Sequence, residues 1–293
     1  MTNTLKTGFT ILDGAMGTEL TRRGIETTLP LWSARALIEA PQVVEQIHLD
    51  YIAAGARVIT ANTFRTNVRT MQRAGFTDEG RALTHEAVRL ARSAVALSKN
   101  ANVRVAGSMA PVEDCYSPWL VPGDDELAAE HGALARHLAE AGCDLILVET
   151  MNLIREAVAA AHAAHQTGLP VWVSFTLNEQ NTLLSGEALA DAVQAVLPFE
   201  PEAILVNCIP VAQISSALSV LHEALCGHEA IAFGAYGNVG HVDDEVGWTL
   251  THAVSPSAYA KAATAWRQLG ATLIGGCCGT MPEHIEAVAE SLH

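Results

Sequence analysis

The sequence predicts an α/β fold in which eight parallel strands and their intervening helices close into a single (β/α)8 barrel of the TIM type. The first observation is a series of eight short apolar runs. Their near-continuous hydrophobicity is typical of strands that are covered on both faces, as in a parallel sheet. The second is the Ala-rich amphipathic stretch that follows such runs. Because periodicity does not show closure, an open doubly wound sheet is the alternative.

The predicted strands follow one another along the chain without a low-complexity segment or a Pro/Ser-rich linker. They are Phe9–Leu12, Val58–Thr60, Val103–Ala106, Leu145–Val148, Val171–Phe175, Ile204–Val206, Ile231–Phe233 and Thr272–Ile274. Barrels of this type often have about 250 residues. Eight strand–helix units therefore account for the 293 residues of the sequence, and we expect one barrel domain over residues 1–293.

Two helices have the clearest signals. Between the first two strands, five side chains recur at helical spacing. They are Val44, Ile47, His48, Tyr51 and Ile52. Pro41 near the start and Gly55 just past the end are typical helix boundaries;. A second helix is expected from Asp124, where acidic residues suit the helix dipole, to Gly142;.

Composition and charge exclude several functional classes. Hydrophobic residues make up 49% of the chain and charged residues 17%, which supports a large core and argues against disorder;. A formal charge of −15 opposes binding to nucleic acid and to anionic membrane surfaces;. No apolar run reaches the roughly 18 residues that a membrane-spanning helix needs. Six cysteines in a chain of this length do not indicate a disulfide framework, so we expect free thiols and a cytoplasmic protein;.

The candidate site residues are the polar side chains that follow the predicted strands, because barrel active sites lie at the C-terminal ends of the strands. They are Asp13, Thr60, Asn62, Thr63, Ser108, Glu149, Thr150, Ser174, Thr176, Asn207, Cys208, Tyr236, Asn238, Cys277 and Cys278. Three of the six cysteines and two carboxylates belong to this set.

Three of these cysteines indicate a metal site. Adjacent side chains of a regular strand point to opposite faces. The glycines around Cys277 and Cys278 permit an irregular turn that could bring the two thiols together;. Cys208 ends the strand that lies two places earlier in the barrel, and its side chain could reach the same point across the mouth. Three thiolates on an open cavity suit zinc, with a fourth position free for substrate.

Other interpretations of the cysteines stay open at this point. Free cysteines are usually small buried side chains. The separation between Cys208 and Cys277 matches no recognised zinc-binding spacing, and vicinal cysteines can form strained redox disulfides. We expect isolated cysteines such as Cys143 and Cys226 to be buried, and we expect no role in the site for them or for Cys115. The glycine-rich ends of the last two strands leave phosphate binding as a minor alternative.

Asp13 and Glu149 directly follow buried strands, where an unpaired carboxylate is costly;. Each could satisfy a loop N–H group or an arginine, or could bind a cationic group such as the ammonium of an amino acid. Trp32 lies in the long loop after the first strand. Its indole could cap the barrel, or it could face an onium ion, because aromatic faces attract cations.

Five motifs resemble the homocysteine S-methyltransferase family, in order and over about residues 9 to 290. They are Ile11-Leu12-Asp13-Gly14-Ala15-Met16-Gly17-Thr18, Leu31-Trp32-Ser33-Ala34, Thr60-Ala61-Asn62-Thr63-Phe64, Val206-Asn207-Cys208 and Gly275-Gly276-Cys277-Cys278-Gly279-Thr280. The resemblance implies a zinc-dependent barrel that methylates homocysteine to methionine.

The resemblance also implies roles for individual residues. Cys208, Cys277 and Cys278 correspond to the zinc ligands of the family. Asp13 and Glu149 correspond to the residues that bind the amino end of homocysteine, with Thr63 in the same pocket. Trp32 corresponds to the aromatic residue on the donor side.

The methyl donor is inferred by comparing branches of the family, whose standalone members use S-methylmethionine, S-adenosylmethionine or betaine. The betaine branch has tyrosines where this chain has Arg65 and Thr150. The S-methylmethionine branch often has a Gly-Pro-Tyr-Gly-like loop where this chain has Ala110-Pro111-Val112-Glu113-Asp114-Cys115-Tyr116. We favour a sulfonium donor, S-methylmethionine or S-adenosylmethionine, and keep betaine or another donor as the alternative.

Two other functional classes compete with a methyltransferase. One is a barrel hydrolase that uses zinc-bound water, although three thiolate ligands would make the ion a poor Lewis acid. The other is a non-catalytic zinc-binding or redox-sensing barrel.

Overall fold

The barrel strands of the chain match the predicted apolar runs. The computed structural model describes residues 8–76, 79–243, 247–249 and 254–292. Its strands are β1 Thr10–Ile11, β2 Val58–Ala61, β3 Arg104–Met109, β4 Leu145–Met151, β5 Val171–Phe175, β6 Ala203–Pro210, β7 Ala232–Asn238, β8 His241–Asp243, β9 Gly247–Thr249 and β10 Leu273–Gly276. Strands β1 to β7 and β10 each overlap one predicted run, so all eight strand predictions are confirmed.

These eight strands form one parallel sheet that closes on itself. The strand order is β1-β10-β7-β6-β5-β4-β3-β2, which leaves β1 and β2 to meet. They do so through a parallel bridge between Leu12 and Val58. The amide of Asp13 donates to the carbonyl of Val58 at 2.9 Å, and the amide of Arg57 donates to that of Ile11 at 2.8 Å. The predicted barrel is therefore confirmed, and the open-sheet alternative is wrong.

Helices surround the strands in the described parts of the chain. They are α1 Gly17–Arg22, α2 Ala36–Glu39, α3 Pro41–Ala53, α4 Val68–Arg73, α5 Glu79–Ser98, α6 Asp124–Ala141, α7 Ile154–His165, α8 Leu189–Val196, α9 Val211–Ala224, α10 Pro256–Gln268 and α11 Pro282–Leu292. The two helices predicted in detail are α3 and α6. Gly55 and Gly142, with φ of +110° and +87°, follow their C-terminal ends;. The described residues contain no helix with the length and apolar character needed to cross a bilayer.

Two apolar layers hold the barrel together. Inside the strands, a small cluster includes Leu12, Leu147, Trp172, Leu205 and Leu273. Outside them, a larger cluster joins the outer faces of the strands to the helices. It includes four of the five side chains predicted to recur along α3, and His48 is the exception. Because the barrel interior is filled by side chains, the only space for a ligand on this axis is at its ends.

The structure differs from the predictions in one hairpin and in the exposure of one cysteine. The antiparallel hairpin of β8 and β9 follows β7, in a stretch that contains no apolar run. Cys226 is exposed, so the expectation that it is buried is wrong, whereas Cys143 is buried as expected. Cys226 follows the C-terminal end of α9, where its thiol lies 3.7 Å from the carbonyl of His222.

Candidate functional site

A cavity of about 310 Å³ opens at the C-terminal ends of the strands. Its lining comes from the ends of β1, β2, β3, β4, β6, β7 and β10 and from the loops that follow them. This is the end of the barrel where the sequence predicts the site. Asp13, Trp32, Glu149 and the three cysteines singled out by the sequence all line this one cavity.

The thiols of Cys208, Cys277 and Cys278 converge at the inner end of the cavity. Their sulfur atoms all lie within 4.8 Å of one another. The Sγ atom of Cys278 is 4.0 Å from that of Cys208 and 3.9 Å from that of Cys277. Cys208 and Cys278 are buried, and Cys277 is half-buried. Three soft ligands on one side of an open cavity could hold one metal ion.

Cys208 points into the cavity because its strand is irregular at that residue. Its φ of +58° is in the left-handed region, which is uncommon for a side chain other than glycine;. The register between β6 and β7 shifts between Asn207 and Pro210. Such a bulge redirects a side chain relative to the regular alternation of a strand.

The turn after β10 brings the other two cysteines together. The amide of Cys277 donates to the carbonyl of Gly237 at 2.9 Å, and the amide of Cys278 donates to the side-chain oxygen of Asn238 at 3.1 Å. Gly279 has a φ of +80°, a conformation in which a residue with a Cβ atom would be strained;. The vicinal cysteines are thus fixed by their backbone.

The three thiols and Tyr116 form one polar cluster. Hydrogen bonds from the other two thiols lower the pKa of Cys208, whereas the same bonds to Cys208 raise the pKa of Cys277 and of Cys278. The Tyr116 hydroxyl lies 2.9 Å from the Cys208 sulfur. The ionisation of any one of these thiols is therefore coupled to that of the other two.

Asp13 and Glu149 form the second polar group of the cavity. Asp13 accepts hydrogen bonds from the Thr60 amide at 2.7 Å and from the Thr60 hydroxyl at 3.1 Å. Glu149 accepts one from the Ser108 hydroxyl and one from the Tyr236 hydroxyl, the latter at 3.0 Å. Neither carboxylate forms an ion pair with a described cationic residue. Within the described part of the chain, hydrogen bonds alone hold the two carboxylates.

Burial dominates the electrostatics of both carboxylates. It raises the pKa of Asp13 to about 8, although hydrogen bonds from Thr60 act in the opposite direction. Burial also raises the pKa of Glu149 to about 7, against hydrogen bonds from Ser108 and Tyr236 that lower it. The charge of Glu149 raises the pKa of Asp13 further. A bound cation would reverse these shifts by favouring the charged forms.

The register of the barrel shifts a second time next to Glu149. Thr150 has a φ of +60°, and the pairing of β4 with β5 shifts between Val148 and Met151. Asn207 joins this bulge to the one at Cys208. Its side-chain oxygen accepts from the Thr150 amide at 3.1 Å, and its nitrogen donates to the Thr150 hydroxyl at 2.8 Å.

Thr63 and Trp32 occupy different positions. Thr63 is fully buried and does not line the cavity. Its hydroxyl donates to the carbonyl of Ser108 at 2.8 Å, so it contacts the backbone of a cavity residue. Trp32 lines the cavity and is half-buried, with its ring 5.6 Å from that of Phe64 in an edge-to-face arrangement. A Cβ atom on Gly17 would collide with the indole, so this close approach requires glycine.

Sequence reasoning missed two groups at the outer part of the cavity. Tyr116 was noted only as part of an unusual loop, and Cys115 was expected to have no place at the site, yet both line the cavity. Arg65 was noted only as a departure from the betaine branch, and it lines the cavity as well. The signal available for Arg65 was its position directly after the motif Thr60-Ala61-Asn62-Thr63-Phe64 at the end of β2.

Fold and site together define the class of this protein as a TIM barrel whose mouth carries a three-cysteine cluster capable of holding a metal ion. Residues 10–292 match the family model for homocysteine S-methyltransferase. The chain belongs to that family, which confirms the resemblance predicted from five motifs. It is an enzyme of the homocysteine S-methyltransferase type, so the non-catalytic alternative is wrong.

Individual relatives match over nearly their whole length. A homocysteine S-methyltransferase of Escherichia coli (strain K12) is 34% identical, with 95% of this chain and 93% of that protein covered. The homocysteine S-methyltransferase YbgG of Bacillus subtilis (strain 168) is 31% identical with the same coverage. The crystal structure of the metallated form of the homocysteine methyltransferase MmuM from Escherichia coli has a TM-score of 0.83 and 29% identity, with 96% of each chain covered.

Proposed function

We propose that the protein is a zinc-dependent methyltransferase that moves a methyl group from a small sulfonium donor to the thiol of homocysteine, giving methionine. One observation carries the proposal. Three cysteine sulfurs within 4.8 Å of one another share a cavity with two buried carboxylates that have no cationic partner among the described residues. Homocysteine has a thiol at one end and an ammonium group at the other, and it matches both.

The donor set supports zinc. Two sulfurs that each lie about 2.3 Å from a tetrahedral zinc ion are about 3.8 Å apart. This is close to the 3.9 and 4.0 Å that separate the Cys278 sulfur from those of Cys277 and Cys208. Cys208, Cys277 and Cys278 would hold the ion and leave one position open. Bound there, zinc supplies a site at which a substrate thiol ionises to its thiolate. All six cysteines are free, which supports work in the reducing cytoplasm;.

Asp13 and Glu149 bind the ammonium group of homocysteine in this proposal. Their hydrogen bonds to Thr60, Ser108 and Tyr236 fix the carboxylates before the substrate arrives. Thr63 acts on the substrate only through Ser108, because its hydroxyl donates to the carbonyl of that residue. We assign it a positioning role. With the amine held, the sulfur of the acceptor is directed towards the thiol cluster.

Methyl transfer is an in-line displacement. The acceptor thiolate forms a bond to the methyl carbon while the bond from that carbon to the donor sulfur breaks. The electron pair of the broken bond stays on the donor sulfur, which leaves as a neutral thioether. No proton moves at the methyl group, so Asp13 and Glu149 have no acid or base role there. The protein contributes alignment of donor and acceptor in one cavity.

The outer part of the cavity supports a small cationic donor. Trp32 and Phe64 present aromatic rings, which attract cations by about 0.5–2 kcal/mol;. The volume of about 310 Å³ is at the small end of ligand pockets, which begin at about 300 Å³;. Two reactants must share it, so we favour S-methylmethionine over the bulkier S-adenosylmethionine. Betaine is the alternative donor, although this chain has Arg65 and Thr150 where the betaine branch of the family has tyrosines.

A donor screen tests the proposal. Homocysteine deuterated in its carbon chain is incubated with S-methylmethionine, S-adenosylmethionine or betaine, and deuterated methionine is measured by mass spectrometry. The label separates methionine made from the acceptor from methionine left by the donor. We expect the highest kcat/KM with S-methylmethionine. Absence of deuterated methionine with all three donors, in protein that contains one zinc per chain, would contradict the proposal.

A further inference from the structure

The charges that line the cavity are unequally distributed. Among the described lining residues, Asp13, Asp114 and Glu149 are acidic, and Arg65 alone is basic. The whole chain has 17 basic and 32 acidic residues, so a guanidinium at this position is not explained by a generally basic surface.

Arg65 makes little use of its hydrogen-bonding capacity. A guanidinium has five N–H donors, and the side chain of Arg65 donates one hydrogen bond, from Nη1 to the carbonyl of Glu113 at 3.1 Å. Its Nε atom is buried without an acceptor. Arg65 forms no ion pair with any described carboxylate. The nearby carboxylate of Asp114 accepts instead from the hydroxyl of Ser117 at 2.7 Å and from the amide of Tyr116 at 3.3 Å.

The neighbouring arginines differ from Arg65 in this respect. Arg69 and Arg73 both pair with the buried carboxylate of Glu113, at 3.0 and 2.6 Å. Arg69 also pairs with Glu130 at 2.6 Å. These ion pairs anchor the loop after β3, and that loop provides the carbonyl that orients Arg65. The guanidinium is therefore held in place, and its partner is not a described carboxylate of the protein.

The ring of Phe64 further defines where the guanidinium lies. The Cζ atom of Arg65 is 5.5 Å from the centroid of that ring, and Phe64 in turn contacts Trp32. Arg65 thus belongs to the aromatic, half-buried side of the cavity. The carboxylate pair that we assign to the ammonium group of homocysteine is formed instead by strand-end residues with buried partners.

We propose that Arg65 binds a substrate carboxylate, and that through its position it selects methyl donors that carry one. The inference rests on the proposed function and assigns to one residue the preference for onium donors that carry a carboxylate. A bare onium cation is repelled by the guanidinium, whereas a donor with a carboxylate gains a charge-assisted, bidentate partner. The carboxylate of homocysteine has the same chemistry, and the test separates the two sources.

The test compares Arg65→Gln with the wild-type enzyme and with Arg89→Gln. Arg89 is an exposed arginine of α5 outside the cavity, so Arg89→Gln is a matched control. The donors are S-methylmethionine and trimethylsulfonium, which lacks a carboxylate. For Arg65→Gln we expect kcat/KM with S-methylmethionine to fall about 10- to 100-fold, the typical effect of losing a charged hydrogen bond. The value with trimethylsulfonium should stay equal or rise, and Arg65→Lys should be intermediate.

The KM values identify the source of the carboxylate. A rise in KM for S-methylmethionine with an unchanged KM for homocysteine assigns Arg65 to the donor. A rise confined to homocysteine assigns it to the acceptor and overturns the donor selection. Equal kinetics of Arg65→Gln and Arg89→Gln with both donors would overturn the inference and leave the proposed function intact.

Calorimetry gives a readout that does not require methyl transfer. Titration of the zinc-loaded protein with S-methylmethionine and with trimethylsulfonium should show tighter binding of the first, and Arg65→Gln should abolish the difference. Tight binding of S-methylmethionine without formation of methionine would contradict the proposed function alone. Equal binding of the two cations by the wild-type protein would overturn the role of Arg65.

Discussion

The inner and outer parts of the cavity are built by different means. The inner part consists of strand-end side chains that are 6–9% exposed: Asp13, Glu149, Cys208 and Cys278. Two register shifts and buried hydrogen bonds fix them. The outer part consists of more accessible loop side chains: Trp32, Phe64, Arg65 and Tyr116. Aromatic contacts join Trp32, Phe64 and Arg65, and the ion pairs of Glu113 anchor the loop that carries Tyr116. If the proposed function is correct, we expect the barrel itself to bind the acceptor and the loops to determine the choice of donor.

The largest effect is expected at the thiol cluster. Cys208→Ser removes one of three proposed zinc ligands, so we expect a zinc content below about 0.1 per chain. Activity should fall by more than the roughly 10- to 100-fold that is typical when a residue next to the ligands, rather than a ligand, is changed. A colorimetric zinc assay and a methionine assay measure these. The exposed Cys226 gives the control variant Cys226→Ser, which should keep both. Full zinc in Cys208→Ser would show that the metal lies elsewhere.

A smaller effect, restricted to the acceptor, is expected at the carboxylate pair. Glu149→Gln keeps the shape of the side chain but removes the charge that we assign to the ammonium group. We expect KM for homocysteine to rise about 10- to 100-fold, because a charged hydrogen bond is lost. KM for the donor and the zinc content should change little. The control is Glu86→Gln on α5, outside the cavity. An unchanged KM for homocysteine would contradict the assignment of Glu149 to the acceptor.

The pH dependence of acceptor binding provides a third measurement. The pKa of Glu149 is about 7 and that of Asp13 about 8 in the free enzyme, so both carboxyls are largely protonated below pH 6 and ionise as the pH rises. The ammonium group needs the ionised forms. KM for homocysteine should therefore fall by at least about tenfold between pH 6 and pH 8, the change expected when one group with a pKa of about 7 must ionise;. In Glu149→Gln this fall should be shallower.

The smallest effect is expected at Trp32. Trp32→Leu retains apolar bulk but removes the aromatic face, so we expect KM for S-methylmethionine to rise about 2- to 10-fold, within the range of an exposed to partly buried cation–π contact. KM for homocysteine should be unchanged, as steady-state kinetics will show. A rise in KM for homocysteine of similar size would place Trp32 with the acceptor.

The sequence predicted the inner part of the cavity better than the outer part. Parallel strands end at the same face of a barrel, so polar residues at strand ends must converge there, and this was enough to bring Asp13, Glu149 and the cysteines together. The register shifts were not predictable, because neither Thr150 nor Cys208 is a residue type that signals a positive φ;.

The loop after β3 shows why the outer part escaped prediction. Its position depends on pairing of Glu113 with Arg69 and Arg73, residues that are about 40 positions away in the chain. The contact between Tyr116 and Cys208 spans still more of the sequence. No periodicity or local motif encodes such contacts. Closure of the barrel is a similar case, because it depends on one bridge between Leu12 and Val58, which are far apart in the chain.

Asn207 couples the two polar groups of the cavity. Its amide ties the bulge beside Glu149 to the strand end that carries Cys208, and the side chain is fully buried. One side chain thus holds the two strand ends to each other. Displacement of either strand end breaks these hydrogen bonds, so the carboxylate of Glu149 and the thiol cluster respond to a perturbation together.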